Sequence, residues 1–187
     1  YHNLSDYGSI AAILKDGQPV AKATEGDRVE LITTTTPFYG ESGGQAGDRG
    51  EISTGSGRVR VEETRKPLSG LIVHAGTVTS GSLQQGETAD LCVDAGLRQA
   101  TALNHTATHI LQAVLVEVFG DHVKQAGSLV TPERLRFDFT HYAGIGPREL
   151  RHLENRVNGE ILRDAALEAK VMGREEALAY GALAFFG

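Results

Sequence analysis

Two histidines four residues apart are the residues best suited to bind a metal ion. His105 and His109 lie in an alanine- and leucine-rich run without glycine or proline. Side chains at positions i and i+4 of a helix project from one face, so both imidazoles can reach one divalent cation. Zinc usually takes three or four protein ligands, and no second Cys or His cluster has an obvious matching spacing. The pair therefore predicts half of a metal site, although such pairs also arise by chance on helices.

Three further polar residues are candidates for a pocket. Thr108 directly precedes His109, where its hydroxyl can bond to a bound water or a substrate. Gln125 and Ser128 offer an amide and a hydroxyl just before a strand-like segment, with Gly127 as a turn residue between them. Each of these side chains can equally be a polar position that faces water, so none is decisive alone.

Residues 38–50 contain five glycines in thirteen positions, which indicates unusual backbone angles or a close approach of another group. Within them, Gly40 to Gly44 match the G-x-S-x-G pattern of a serine-hydrolase nucleophile, with Ser42 as the nucleophile. That motif requires a helix directly after the serine, and the glycines that follow disfavour one. The pattern therefore argues against a hydrolase of this kind, and no nucleotide P-loop motif occurs either.

The composition is that of a globular domain. The 187 residues are 40% hydrophobic and 22% charged, with a net charge of −6 that argues against nucleic-acid binding by bulk electrostatics. Local basic clusters could still contact RNA, although solvated faces balanced by acidic neighbours explain each of them as well. The clusters are Arg58, Arg60, Arg65 and Lys66; Arg134 and Arg136; and Arg148, Arg151 and Arg156.

The single cysteine indicates the compartment of the protein, and the two chain ends indicate whether the sequence is a whole polypeptide. Cys92 excludes an internal disulfide and is typical of a reducing compartment, here the cytoplasm. Its strand-like surroundings predict a buried structural thiol. We expect neither a membrane span nor a signal peptide. The only methionine is Met172 and the chain closes on an apolar run at 184–187, so we expect a piece of a longer polypeptide.

The first half of the chain is predicted to be β structure and the second half α+β. Residues 1–93 contain short runs rich in Val, Ile, Thr and Leu between glycine turns, which is typical of a small barrel or sandwich. The predicted strands are 11–14, 28–34, 57–62, 71–78 and 88–93, and, in the second half, 123–130 and 135–139.

Helical periodicity begins at Asp94, a good N-cap, and ends before Gly120, which predicts a helix over 95–119. Pro147 opens a second helix that fades near 172–173, and a shorter helix is predicted over 174–183. The fold class is therefore α+β, with an N-terminal small β-barrel (1–93) followed by an α+β domain with long helices packed on an antiparallel sheet (94–187).

Taken together, these segments resemble the editing region of bacterial alanyl-tRNA synthetase. The resemblance rests on the order Ser42-Gly43-Gly44-Gln45 with Asp48, His105-x-x-x-His109, Gln125-x-Gly127-Ser128 and residues 136–139, and it extends to the closing 176–182. It covers essentially the whole chain. Free-standing alanyl-tRNA editing proteins and the editing domain of threonyl-tRNA synthetase share parts of it, chiefly the histidine pair.

The resemblance implies a function and a ligand set. It implies hydrolysis of serine or glycine mischarged on alanine tRNA, with zinc held by an H-x-x-x-H pair and a later C-x-x-x-H pair. His105 and His109 match the first pair, and the second is expected downstream of Gly187. We therefore expect weak or no zinc binding and little activity from these residues alone. Thr108, Gln125 and Ser128 match catalytic or discriminating positions, and Gly43, Gly44, Gln45 and Asp48 match the substrate loop.

Two rival functions stay open from the sequence. One is a non-catalytic tRNA-docking module, in which the histidines are structural and the basic clusters hold the RNA. The other, more remote, is a serine hydrolase that uses Ser42. The expected partners under the resemblance are the tRNA for alanine and the rest of the synthetase chain.

Overall fold

The computed structural model describes residues 3–168 and 170–181. They form two compact units. The first, here the barrel unit, consists of the residues up to His105 together with Leu129–Leu135; the second, here the helical unit, consists of Thr106–Ser128 and the residues from Arg136 onward. The α+β fold class predicted from the sequence is confirmed. The domain boundary predicted after residue 93 stays a prediction.

The elements follow the chain in the predicted order, with strands first. The strands and helices are β1 (Ser5–Lys15), β2 (Gln18–Val20), β3 (Lys22–Thr24), β4 (Arg28–Thr33), β5 (Gly50–Thr54), β6 (Gly57–Leu68), β7 (Leu71–Gln84), β8 (Thr88–Val93), α1 (Ala95–Phe119), β9 (Gln125–Val130), β10 (Leu135–Phe139), α2 (Pro147–Leu162) and α3 (Arg174–Ala179).

Six antiparallel strands close the barrel in the order β1-β4-β7-β6-β5-β8, and β8 pairs again with β1. Closure depends on the length of β1, because Ser5–Ser9 pair with β8 while Ile10–Leu14 pair with β4. The sequence predicted only the second half of this strand. A closed ring leaves no unpaired edge among these six strands.

Alternation along the strands fills the barrel with apolar side chains. In β8, Ala89, Leu91 and Val93 are buried while the residues between them are exposed. Fourteen described residues form one hydrophobic cluster: Ile10, Ile13, Ala23, Val29, Leu31, Phe38, Ile52, Val59, Val61, Val78, Leu83, Ala89, Leu91 and Val93. The same alternation corrects one prediction. Cys92 points outward and is exposed, so it is not a buried structural thiol.

Helix α1 begins and ends where the sequence predicted. The Asp94 carboxylate accepts a hydrogen bond from the backbone N–H of Leu97 at 3.0 Å, which satisfies one of the free donors of the first turn. Gly120 has a φ of +100°, the left-handed conformation that commonly ends a helix.

The helical unit has a smaller core. Val114, Leu115, Val123 and Leu153 form its buried cluster, with partly buried apolar residues around them. Arg156 on α2 donates two hydrogen bonds to the Glu117 carboxylate on α1, at 3.1 and 2.8 Å, and a third to Glu160 at 3.1 Å. The Arg156 hydrogen bonds lower the pKa of Glu117 below its usual range.

The last two helices are shorter than predicted. Helix α2 ends at Leu162 rather than near residue 172, and Asp164 adopts a left-handed backbone with φ of +48°. Leu162 and Leu167 are exposed, so no packing supports further helical turns. Helix α3 ends at Ala179, and residues 182 and 183 of the predicted helix lie outside the described residues. No helix in the described part of the chain is long and apolar enough to cross a membrane.

Candidate functional site

The centre of the glycine-rich loop is a tight turn. Ser42 and Gln45 exchange two backbone hydrogen bonds, at 3.2 and 3.0 Å. The two residues between them, Gly43 and Gly44, have φ of +59° and +82°, the combination of a type I′ turn. A residue with a side chain is disfavoured at both positions. Gly43 and Gly44 therefore allow the chain to reverse its direction just before Gln45.

Beyond the turn, the loop packs directly on the barrel wall. A Cβ atom at Gly47 would lie 1.8 Å from the carbonyl oxygen of Thr64, a clash that no backbone tolerates. The Thr64 hydroxyl donates to the Asp48 carbonyl at 2.7 Å, and the Asp48 backbone N–H donates to the Tyr39 carbonyl at 2.9 Å. The loop is thus fixed to strand β6 by contacts that only glycine at position 47 permits.

A buried ion pair joins the loop to the first turn of α1. The Arg98 guanidinium donates to both oxygens of the Asp48 carboxylate, with Nε 3.2 Å from Oδ1 and Nη2 bonded to Oδ2. Both side chains are less than a tenth exposed. Arg98 also donates to the carbonyls of Asn3, at 3.0 Å, and Pro37, at 2.7 Å. One guanidinium therefore holds the loop, the N-terminal segment and the helix together.

Gln45 connects the loop to the histidine motif. Its side chain is 4% exposed, and its Oε1 lies 2.5 Å from Nδ1 of His105, which donates to it. These residues are 60 positions apart in the sequence. The contact brings together two segments that are distant in the sequence, the glycine-rich loop and the first histidine of the pair.

The end of β9 is held against the same loop. The backbone N–H of Ala46 donates to the Val130 carbonyl at 2.9 Å, and the N–H of Val130 donates to the Gly44 carbonyl at 2.8 Å. Asn104, next to His105, donates through its amide to the Thr131 carbonyl at 2.8 Å. The glycine turn is thus bonded on both sides, to helix α1 through Gln45 and to β9 through the backbone.

The predicted residues of the helical unit lie on α1 and β9. His109 follows His105 by one helical turn of α1 and is exposed, whereas Thr108 is buried with 7% exposure. Gln125 and Ser128 contact each other, because the Gln125 amide donates to the Ser128 hydroxyl at 3.1 Å. Gly127 between them packs on Asp138 of β10, where a Cβ would lie 2.9 Å from a carboxylate oxygen.

His105 and His109 are the candidate metal ligands on α1. Among residues 3–168 and 170–181, no group of three or more His, Cys, Asp or Glu side chains is placed to hold a metal ion. The arrangement at His105 does fit the chemistry of a ligand, since a ligating histidine usually donates its other ring N–H to an oxygen acceptor. The described residues thus supply two neighbouring imidazoles on α1 and one hydrogen bond, from His105 to Gln45, behind them.

The surroundings of Ser42 lack the local structure of a nucleophile elbow. The serine opens the Gly43-Gly44 turn, and the chain then runs without helix to β5, which begins at Gly50. A serine-hydrolase nucleophile needs a strand-turn-helix context. The geometry therefore gives no support to the hydrolase alternative.

Several arginines of the basic clusters have carboxylate partners, as expected for solvated charged faces. The pairs within 4 Å are Arg58 with Glu51, Arg60 with Glu62, Arg65 with Glu30 and Glu63, Arg136 with Asp138, and Arg156 with Glu117 and Glu160.

Sequence analysis identified Thr108 and His105 but missed three other buried polar residues on α1, namely Arg98, Thr101 and Gln112. Arg98, Thr101, Thr108 and Gln112 are all buried, and His105 lies between them at helical spacing. The signal was present as polar residues at intervals of three and four along the predicted helix. Gln112 is notable because its Nε2 is buried without a hydrogen-bond partner within the described structure.

His74 was also missed, and it belongs to the barrel core. It is fully buried, with Nδ1 3.1 Å from the Leu31 carbonyl and Nε2 2.8 Å from the Thr36 hydroxyl. Burial lowers the pKa of His74 below its usual range, so the ring is neutral in the folded chain. Its role is structural, because it ties the start of the glycine-rich loop to the barrel interior.

Comparison with known proteins agrees with the predicted resemblance. The model of the family described as tRNA synthetases class II (A) matches residues 1–97. The chain is 49% identical over 178 residues, 95% of its length, to the alanine–tRNA ligase of Anaeromyxobacter sp.. It is 48% identical over its full length to that of Magnetococcus marinus and 46% identical to that of Chloroflexus aurantiacus.

The chain spans about a fifth of these relatives, covering 20% of the first and 21% of the other two. The family model covers more than half of the chain, and the relatives match almost all of it. The chain therefore belongs to the class II (A) tRNA synthetases.

Proposed function

We propose that this chain is the editing region of an alanyl-tRNA synthetase, which hydrolyses the ester of serine or glycine mischarged on the tRNA for alanine. The observation that supports this most is the hydrogen bond from His105 to Gln45, because it joins the glycine loop to the H-x-x-x-H helix. A docking surface for RNA needs no buried contact of this kind. The similarity to alanine–tRNA ligases supplies the substrate class.

The reaction asks little of the protein. An aminoacyl ester is already activated, so a positioned water and a few oriented dipoles suffice for hydrolysis. Thr108, Gln125 and Ser128 are the groups we assign to this task. Gln125 and Ser128 already contact each other at 3.1 Å, which fixes the orientation of an amide and a hydroxyl. These side chains would orient the water or bind the hydroxyl of the serine moiety.

His105 and His109 would hold the zinc ion, together with ligands from the longer polypeptide. When bound, zinc polarises a water or fixes the amine and hydroxyl of the substrate. Two imidazoles are fewer ligands than a stable zinc site uses. We therefore expect weak or no zinc binding by residues 1–187. Stoichiometric zinc in metal analysis of this chain, lost in a His105→Ala variant, would contradict that expectation.

Selectivity for serine over alanine follows from hydrogen bonding. Alanine lacks only the hydroxyl of serine, and a site whose polar groups bind that hydroxyl is left with unpaired groups when alanine enters. A site of this kind rejects the correct product more strongly than an apolar pocket does. The proposal includes three further expectations. The chain binds the tRNA for alanine, it is part of a longer synthetase, and it is located in the cytoplasm.

The test is release of serine from mischarged tRNA by the longer polypeptide that carries this chain. We expect His105→Ala and His109→Ala each to slow hydrolysis by ~10-fold or more, the loss typical of a site residue. His122→Ala is the matched control, since His122 bonds to His141 at 3.0 Å in the helical unit and has no assigned role. Its rate should equal that of the parent.

The same assay separates the docking alternative. If both histidine variants hydrolyse at the parent rate, while Arg148→Ala and Arg151→Ala abolish tRNA binding, the chain is a docking module and the proposal is wrong. Labelling of Ser42 by a fluorophosphonate probe would instead favour the serine-hydrolase alternative.

A further inference from the structure

A histidine that binds a metal must present one particular ring nitrogen. In neutral imidazole one nitrogen carries the proton and the other has the free electron pair, and the hydrogen bond at one nitrogen decides which is which. In His105, Nδ1 lies 2.5 Å from the Gln45 amide oxygen, which can only accept. The contact therefore places the proton on Nδ1 and the electron pair on Nε2.

Gln45 is held in place more firmly than a surface glutamine. Its side chain is 96% removed from solvent, and it leaves a type I′ turn whose two glycines fix its backbone direction. The backbone N–H of Gln45 donates to the Ser42 carbonyl at 3.0 Å, and the next residue bonds to Val130. The amide has little freedom to turn away from His105.

The buried ion pair fixes the other end of the same loop. Asp48, three residues after Gln45, is held by Arg98, which lies two helical turns before His105 on α1. The loop and the helix are thus joined at two points, once by Asp48 and Arg98 and once by Gln45 and His105. Two attachment points define the distance between the Gln45 amide and the imidazole.

We propose that Gln45 is a positioning residue that holds His105 in the Nδ1–H tautomer, so that Nε2 carries the electron pair that a metal ligand needs. The use of Nε2 rests on the proposed function; the tautomer itself does not. The inference concerns the metal-free chain, and its test needs neither metal nor tRNA.

The test is a long-range nitrogen–proton NMR spectrum of the histidine rings of residues 1–187, recorded where the rings are neutral. In the parent chain, Nδ1 of His105 should appear as the protonated nitrogen. Gln45→Met keeps the volume but removes the acceptor, and we expect the ratio of the Nδ1–H to the Nε2–H form to fall by ~5-fold or more. Gln45→Glu keeps an acceptor at the same position, so it should preserve the Nδ1–H tautomer.

His74 is an internal control in the same spectra. Its Nδ1 faces the Leu31 carbonyl in the barrel core, and its Nε2 faces the Thr36 hydroxyl. Its signals should be identical in all three chains. If the His74 signals shift in Gln45→Met, the substitution has disturbed the barrel. The test then relies on Gln45→Glu, in which a switch of His105 to the Nε2–H tautomer would overturn the proposal.

Two results would overturn it directly: an Nε2–H tautomer of His105 in the parent chain, or an unchanged tautomer in Gln45→Met with His74 undisturbed. Failure of the proposed function has a different appearance. In that case the tautomer depends on Gln45 as described, while His105→Ala leaves serine release from mischarged tRNA intact.

Discussion

The barrel unit and the helical unit hold their candidate residues in different ways. In the barrel unit, six strands pair in a closed ring around a cluster of fourteen buried residues. The glycine loop is fixed to this ring through Thr64 and to α1 through a buried ion pair. In the helical unit, the two-stranded sheet packs with α1 and α2 around a cluster of only four buried apolar residues. The first unit is held by backbone pairing, whereas the second depends on side-chain packing.

The two units differ in how firmly they place the candidate residues. Gln45 and Asp48 emerge from a rigid wall and reach α1 with short, buried contacts. Gln125 and Ser128 lie on a two-stranded sheet, and such sheets need packing against other elements to be stable. We therefore expect substitutions in the barrel unit to be more costly than equivalent ones in the helical unit.

The largest effect is expected from breaking the buried ion pair. Asp48→Ala leaves the Arg98 guanidinium buried without its carboxylate, which should lower the free energy of unfolding by ~3–5 kcal/mol. Asp138→Ala removes the carboxylate of an exposed pair with Arg136, and it should cost less than ~1 kcal/mol. Urea unfolding of both variants measures the difference. Equal losses would mean that the ion pair does not anchor the loop.

Leucine deletions compare the two cores directly. Leu91 and Leu153 are 1% and 5% exposed, and truncation to alanine at either should cost ~2–5 kcal/mol. We expect the loss for Leu91→Ala at the upper end of this range, because a closed barrel wall cannot collapse into the cavity that the truncation leaves. Leu153→Ala should fall at the lower end, since the smaller cluster can relax. A larger loss at Leu153, measured by urea unfolding, would contradict the ranking.

A pH titration of stability isolates His74 in the barrel core. Its pKa is lowered in the folded chain, so below the usual value of 6.5 the unfolded chain binds a proton that the folded chain does not. The free energy of unfolding should therefore fall as the pH drops, by up to ~1.4 kcal/mol per pH unit for this one group. In His74→Gln the slope just below pH 6.5 should be shallower. The same slope in both chains would show that another group is responsible.

The smallest change in the free energy of unfolding is expected at Gln112. Here the substitution should stabilise the fold, whereas the preceding ones destabilise it. A buried donor without a partner is destabilising, so Gln112→Leu should raise the free energy of unfolding by ~1 kcal/mol. Thr101→Val is a suitable comparison, because the Thr101 hydroxyl is satisfied by the Leu97 carbonyl at 2.9 Å. A loss of stability in Gln112→Leu, measured by thermal unfolding, would show that the amide is satisfied in solution.

Helix α1 was predictable from the sequence at both ends because independent local signals agree there. Asp94 caps the helix, apolar residues recur at helical spacing, and Gly120 stops it. Where local signals were weak, the predicted end of α2 was wrong, although its start at Pro147 is confirmed. Residues 163–168 are compatible with a helix by propensity, and only the lack of buried packing ends it at Leu162.

The contacts of the candidate site could not be predicted, because they join distant residues. Asp48 and Arg98 are 50 positions apart, and Gln45 and His105 are 60. No local pattern specifies such pairs. The error at Cys92 was avoidable, since Ala89, Leu91 and Val93 already point inward and the alternation of a strand places Cys92 outside.

The most direct test of the central claim compares two substrates of the longer polypeptide. Serine release from mischarged alanine tRNA and alanine release from correctly charged tRNA are measured side by side under single-turnover conditions. We predict serine release at least ~100-fold faster, as expected of a site that recognises a hydroxyl by hydrogen bonds. Equal rates for the two esters, or no acceleration of either, would contradict an editing role for this chain.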